Sequence, residues 1–143
     1  MKKINIINGP NLNLLGNREQ SIYGKNSLED IKNMSIKKSK ELNLECFFNQ
    51  SNNEGDLINY IHKTEESYDG LIINPAAFTH TSVAILDALR ATKKPKIEIH
   101  LSNIYTREDY RKKSITSEGV DGLICGFGSL SYILAIEALN KLI

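Results

Sequence analysis

Five short apolar runs, each followed by a helical pattern, predict a doubly wound α/β domain built on one parallel sheet. Two observations carry this. The runs are apolar on both faces instead of alternating, as strands covered by helices on either side must be. Strand and helix patterns also succeed one another five times along the 143 residues, the layout of a doubly wound fold. Five strands in a chain of this length favour the flavodoxin-like order 2-1-3-4-5. Ligands of such folds sit beyond the carboxyl ends of the strands, where the winding reverses between the first and third.

The elements follow in order. Lys3 to Asn8 reads as a buried strand that stops at Gly9-Pro10, because proline has no amide to give a ladder and Asn and Gly favour turns. Residues 8–24 then form a long polar loop between Gly16 and Gly24, carrying Arg18 and Tyr23 five positions apart. Long loops without secondary structure are uncommon in compact domains and are often binding loops or lids. Ser27 with Asp30 is a capping pair that opens a helix to about Leu42, with Leu28, Ile31, Met34 and Ile36 as its core stripe. Leu44 to Asn49 is the second strand, and a helix follows from Glu54 to Ser67 with Leu57, Ile58 and Ile61 inward. Asp69 to Asn74 is the third strand, ended by Pro75. Thr79 or Thr81 can cap the next helix, Ser82 to Thr92, where Val83, Leu86, Leu89 and Arg90 fall at helical spacing. Lys96 to Leu101 is the fourth strand, followed by a short charged helix from Thr106 to Lys113. Val120 to Cys125 is the fifth, and the last helix ends near Leu142.

One domain over residues 1–143 is expected, large enough to bury a substantial core. Eighteen Lys and Arg against seventeen Asp and Glu give a net charge of +1, without the basic excess that a nucleic-acid partner requires. Cys46 and Cys125 stand far apart in apolar segments, which suits reduced, buried thiols. No leader pattern and no apolar run of membrane-spanning length is present, so no membrane partner and a cytoplasmic location are expected.

The predicted fold gathers a polar rim. Asn8 to Asn13 follow the first strand, Asn74 to His80 the third, and His100 to Asn103 the fourth, so two of the three histidines converge with many asparagines. His62 lies on a helix and reads as a surface residue. Gly126-Phe127-Gly128 lacks the third glycine and the later acidic residue of a dinucleotide loop, and reads as a tight turn with Ser129 as cap. Gly24-Lys25-Asn26 lacks the spacing of a phosphate loop, no metal-ligand spacing occurs, and no serine elbow is present. What remains is a site of Tyr, Arg, His, Asn and Ser, with no cofactor and no metal expected. Such a set can remove one proton, deliver another and hold a hydroxylated small molecule.

Several of these stretches together resemble the type II 3-dehydroquinate dehydratases. They are Asn8-Gly-Pro-Asn-Leu-Asn-Leu-Leu-Gly-Asn-Arg18-Glu with Tyr23-Gly24, Gln50-Ser-Asn-Asn-Glu54-Gly55, Asn74-Pro-Ala-Ala-Phe-Thr-His80, Glu98-Ile-His100-Leu-Ser-Asn103, and Arg107-Glu with Tyr110-Arg111. The resemblance runs in order over essentially the whole chain. It implies dehydration of 3-dehydroquinate to 3-dehydroshikimate in the shikimate pathway of aromatic amino acid biosynthesis, by anti elimination through an enolate without metal or Schiff base.

Carried over by position, the resemblance makes Tyr23 the base that removes the C2 proton and Arg18 the cation that sustains its phenolate. His100 is the acid for the departing C1 hydroxyl, with Glu98 holding or charging its imidazole. Asn11 positions a water at the enolate oxygen. Leu101 and Ser102 take the substrate carboxylate on their backbone amides, and Asn74, His80 and Arg111 bind the ring and its hydroxyls. Asp87 reaches in from a neighbouring subunit of a homododecamer built of trimers. Singly, each residue has a plainer use: Asn74 as a strand stop, His80 as part of a helix cap, Asp87 and Arg111 as solvated helix charges. The sequence departs from the family at Gln20, where proline is usual and would stiffen the loop, and at Asn53, where histidine is common. Two other readings are a binding module of the same fold and a Schiff-base dehydratase. The second needs a desolvated lysine, and the lysines here lie on helices and at strand starts.

Overall fold

The computed structural model describes residues 1–143. Its five strands are β1 (Lys2–Asn8), β2 (Leu44–Gln50), β3 (Gly70–Asn74), β4 (Lys96–His100) and β5 (Gly122–Cys125). All pairings are parallel and the order is β2-β1-β3-β4-β5, as the strand pattern predicts. The helices are α1 (Gln20–Tyr23), α2 (Leu28–Glu41), α3 (Glu54–Ser67), α4 (Val83–Ala91) and α5 (Leu130–Leu142). None is long and apolar enough to cross a membrane.

Two apolar layers flank the sheet. Ile4 and Ile6 of β1, Ile72 of β3 and Ile97 and Ile99 of β4 pack with Ile31 of α2 and with Tyr132, Ala135, Ile136 and Leu139 of α5. Ile7, Leu71 and Ile73 face the other way, onto Leu57 and Ile61 of α3 and Ile85, Ala88 and Leu89 of α4. Burying side chains of this size contributes about 1.5–3 kcal/mol each. Strand β4 breaks the rule of two apolar faces. Ile97, Ile99 and Leu101 enter the first layer, whereas Lys96, Glu98 and His100 alternate with them and are also buried. A polar stripe is therefore sealed inside the domain, and every member must find a partner there.

The sequence places the capping of α2 correctly: Ser27 accepts from the Asp30 amide while Asp30 accepts from the Ser27 amide. Its buried stripe differs from the expected one. Ile31, Ser35 and Ser39 face inward and Met34 lies outside, because the helix packs closely on β2 and α5 and small residues permit that approach. The cap of α4 is Ser82, whose hydroxyl accepts from the Ile85 amide, and neither Thr79 nor Thr81. Its inward residues are Ile85, Leu86, Ala88 and Leu89, leaving Val83 and Arg90 exposed. The expected helix over 106–113 resolves into 3-10 turns at Ile104–Thr106 and Asp109–Arg111, in a run with too little apolar surface to anchor a longer helix. Gly126 and Gly128 make the predicted turn with φ of 97° and 58°, but Ser129 caps nothing and instead accepts from Asn26. The thiols of Cys46 and Cys125 are half-buried and free, and burial raises each to about 11, so both stay protonated.

At the carboxyl edge β1 and β3 end side by side, with Asn8 opposite Asn74. The Gly9 amide donates to the Asn74 carbonyl at 2.8 Å. A methyl group at Gly9 would come within 2.5 Å of the Pro75 carbonyl oxygen, so only glycine lets these two loops touch.

Candidate active site

The loop after β1 is not free of structure. It makes a 3-10 turn at Leu12–Leu14 and the single helical turn α1, which presents Tyr23 toward the strand ends. Leu12 and Leu15 anchor it in the first apolar layer, where Tyr23 also packs. Below it the loops after β3 and β4 complete a cleft that encloses about 620 Å³, counting its mouth. Asn11, Arg18, Tyr23, Asn74, His80, His100, Leu101, Ser102 and Arg111 all line it. Of the residues expected at the site, Glu98 lies behind His100 with no exposure, and Asp87 does not line the cleft of its own chain but stands exposed on α4.

Arg107 is the functional residue that the sequence reading does not single out. Its Nη1 donates to the Tyr23 hydroxyl at 2.9 Å and to Ser102 Oγ at 3.3 Å. Arg18 approaches the same ring, with its guanidinium carbon 4.9 Å from the centroid against 5.1 Å for Arg107. Each also lies near a glutamate, Arg18 at 3.4 Å from Glu19 and Arg107 at 3.9 Å from Glu108, but the Arg18 side chain is 33% exposed and that of Arg107 12%. A charge withdrawn from water acts more strongly on its neighbour, so Arg107 is the dominant cation at the hydroxyl and Arg18 the second.

Glu98 Oε2 and His100 Nε2 are 2.6 Å apart. With Nε2–H directed at the carboxylate, Nδ1 is the nitrogen left for the cleft. Three hydroxyls surround the carboxylate: Thr116 donates to Oε1 at 2.5 Å, Thr79 to Oε2 at 2.8 Å and Ser114 to Oε2 at 3.1 Å. Burial alone would raise the Glu98 pKa. The hydrogen bond and charge of His100, with those of Thr116 and Thr79, outweigh it and hold the group below the usual carboxylate range. Desolvating a carboxylate costs several kcal/mol, and hydrogen bonds to a charged group return about 1.5–3 kcal/mol each, so four donors are enough.

His80 is built for a different task. Its Nδ1 donates to the Lys113 carbonyl at 2.7 Å, leaving Nε2 as an acceptor. Burial lowers its pKa and the nearby His100, Arg111 and Arg107 add to the effect, so the ring is neutral and can receive a substrate hydroxyl. Asn74 is fixed from beneath: its Nδ2 donates to the buried Tyr132 hydroxyl, which donates to Asn8 Oδ1, and its Oδ1 accepts from the Ala76 amide. Arg111 Nε lies 3.1 Å from Glu108 Oε2, in a geometry too bent to count as a hydrogen bond.

A tyrosine beneath two guanidinium groups, facing an imidazole braced on a buried carboxylate, defines a doubly wound α/β enzyme of the acid–base type. Known proteins agree on which one. The family model for dehydroquinase class II matches residues 2–140. The 3-dehydroquinate dehydratase of Caldicellulosiruptor saccharolyticus is 52% identical over 144 residues, covering 100% of this chain and 99% of that protein. The crystal structure of type II dehydroquinase from Propionibacterium acnes superposes with a TM-score of 0.96 at 39% identity, over 99% of this chain and 97% of that one. That from Butyrivibrio crossotus gives 0.95 at 45% identity, over 97% of each. The chain belongs to the class II dehydroquinase family.

The geometry makes a direct claim about His80. Nitrogen NMR should show it as the neutral Nδ1–H tautomer at pH 6.5, because its pKa is depressed and protonation waits for lower pH. A half-charged His80 at pH 6.5 would contradict the arrangement.

Proposed function

We propose that this chain dehydrates 3-dehydroquinate to 3-dehydroshikimate, serving the shikimate pathway of aromatic amino acid biosynthesis. The observation that carries this reading is the convergence of Tyr23 and His100 on one cleft in a chain 52% identical to a 3-dehydroquinate dehydratase over its full length.

The arrangement divides the labour of an elimination. Tyr23, as phenolate, takes the C2 proton, and Arg107 and Arg18 balance the charge on its oxygen. Electrons released from the C2–H bond move onto the C3 carbonyl oxygen as an enolate, which Asn11 attends through a bound water. The enolate then collapses, forming the C1–C2 double bond and expelling the C1 hydroxyl, to which His100 Nδ1 gives a proton. Glu98 stabilises the imidazolium before that transfer and keeps the second proton on Nε2 after it. The backbone at Leu101 and Ser102, beside Arg107 and Arg111, suits the substrate carboxylate. Asn74 and the neutral His80 suit its hydroxyls. The cleft holds three guanidinium groups and no lysine, so nothing on the rim is placed to form an imine.

A pure binding module would keep the cleft and lose the chemistry, and turnover separates the two. The chain should produce the enone from 3-dehydroquinate, followed by its ultraviolet absorbance. His100→Ala should lower kcat by about 10² to 10⁴, the usual worth of a general acid, while product binding survives. Wild-type protein that binds 3-dehydroquinate without turning it over would overturn the proposal.

The same reading includes a homododecamer of trimers, in which Asp87 of one chain serves the cleft of the next. Its support is the exposure of Asp87 on α4, away from its own cleft, together with the general preference of homo-oligomers for closed symmetry. Light scattering should report about twelve times the 16.1 kDa chain. A monomer with full activity would remove both the assembly and the role of Asp87.

A further inference from the structure

We infer that Thr79, Ser114 and Thr116 are positioning residues: their hydroxyls keep Glu98 a bare carboxylate, and so let His100 hold its transferable Nδ1 proton, facing the cleft, as a charged imidazolium. This rests on the reading of His100 as the acid.

The three side chains come from two segments. Thr79 sits in the turn after β3 and is fully buried, Thr116 opens the 3-10 turn Thr116–Gly119 and is fully buried, and Ser114 precedes it. Their oxygens also touch one another, Thr79 Oγ1 lying 2.6 Å from Ser114 Oγ and 2.8 Å from Thr116 Oγ1. Backbone bonds fix the cluster, with the Ile115 amide donating to the Thr79 carbonyl at 2.6 Å and the Ser117 amide to Ser114 Oγ at 3.1 Å. None of the three hydroxyls reaches the cleft surface as a lining group, so they have no direct part in binding substrate.

Hydrogen counting shows what such a cluster selects. Each hydroxyl has one hydrogen, and an ionised Glu98 can accept all three together with the Nε2–H of His100. A protonated Glu98 would turn one oxygen into a donor: toward a hydroxyl oxygen, which must then turn its own hydrogen away from the carboxyl, or toward Nε2, which must give up its hydrogen. In the second case the imidazole would have to carry its remaining hydrogen on Nδ1 without a positive charge, and a neutral ring is a poor donor to a departing hydroxyl. The hydroxyl donors oppose that state by stabilising the anion. Other charged or titratable groups near the pair are Cys125 of β5, which stays protonated, the neutral His80 beside Thr79, and Arg107 and Arg111 across the cleft. β3 offers only Ile73 at this register. No second cation touches Glu98, so the hydroxyls and His100 alone maintain its charge.

The test is the titration of Glu98 in the full-length protein, read by carboxyl-carbon NMR and assigned by the signal lost in Glu98→Gln. Thr116→Val keeps the shape and removes the donor to Oε1. It should raise the Glu98 titration by about one pH unit or more, the equivalent of one charge-assisted hydrogen bond, and lower kcat with KM nearly unchanged. Thr116→Ser should restore both. Ser114→Ala, losing the longer bond, should move Glu98 less and carries the test if Thr116→Val does not fold. An unmoved Glu98 in the folded variants, or a Thr116→Ser that behaves like valine, would overturn the inference. Wild-type turnover of 3-dehydroquinate is measured separately: its absence would defeat the proposed reaction, while the titration would still decide what the hydroxyls do.

Discussion

The structure depends most on the charge sealed beneath its active site. Glu98 has no solvent contact and lies mid-strand in β4, where a parallel sheet ordinarily demands apolar side chains on both faces. A carboxylate there is tolerated because four hydrogens point at it, from His100, Thr79, Ser114 and Thr116. Removing any one partner of such a group leaves a buried charge short of a ligand, which is costly. The same bonds that make the position stable orient the imidazole, so the fold and the acid are held by one set of contacts.

In the proposed reaction the base and the acid stand on different kinds of structure. His100 and Asn74 are the last residues of central strands, braced by the sheet and by the Tyr132–Asn8 network below. Tyr23 sits on one turn of helix in an otherwise irregular loop, tethered by Arg107 and by leucines plugged into the core. Glycine at position 9 matters to this division because β1 and β3 loops meet there with no room for a side chain.

Much of this was legible in the chain. Buried strands, the capping box at Ser27 and the convergence of loops after β1, β3 and β4 follow from local pattern and from the geometry of doubly wound sheets. The misses have a common cause: they are decided by partners far away in sequence. Arg107 stands in one of the stretches that carry the resemblance, but its bond to Tyr23 spans 84 residues and nothing in its own neighbourhood gives it that role. Thr79 looks like a helix cap until Glu98 is seen to need its hydroxyl. One local signal was present: Lys96-Ile-Glu-Ile-His-Leu101 alternates polar with apolar, yet the whole stretch is buried. In a central parallel strand that alternation marks a sealed polar face, and hence a functional one.

The central claim is that base and acid are separate groups acting on either side of an enolate. It is tested most directly by incubating 3-dehydroquinate in deuterated water with each variant and following deuterium at C2 of recovered substrate alongside product. His100→Ala should still exchange the C2 proton well above the rate without protein, while forming almost no enone, because Tyr23 still works and the hydroxyl cannot leave. Tyr23→Phe should do neither. Exchange that persists in Tyr23→Phe, or full product formation by His100→Ala, would contradict the account.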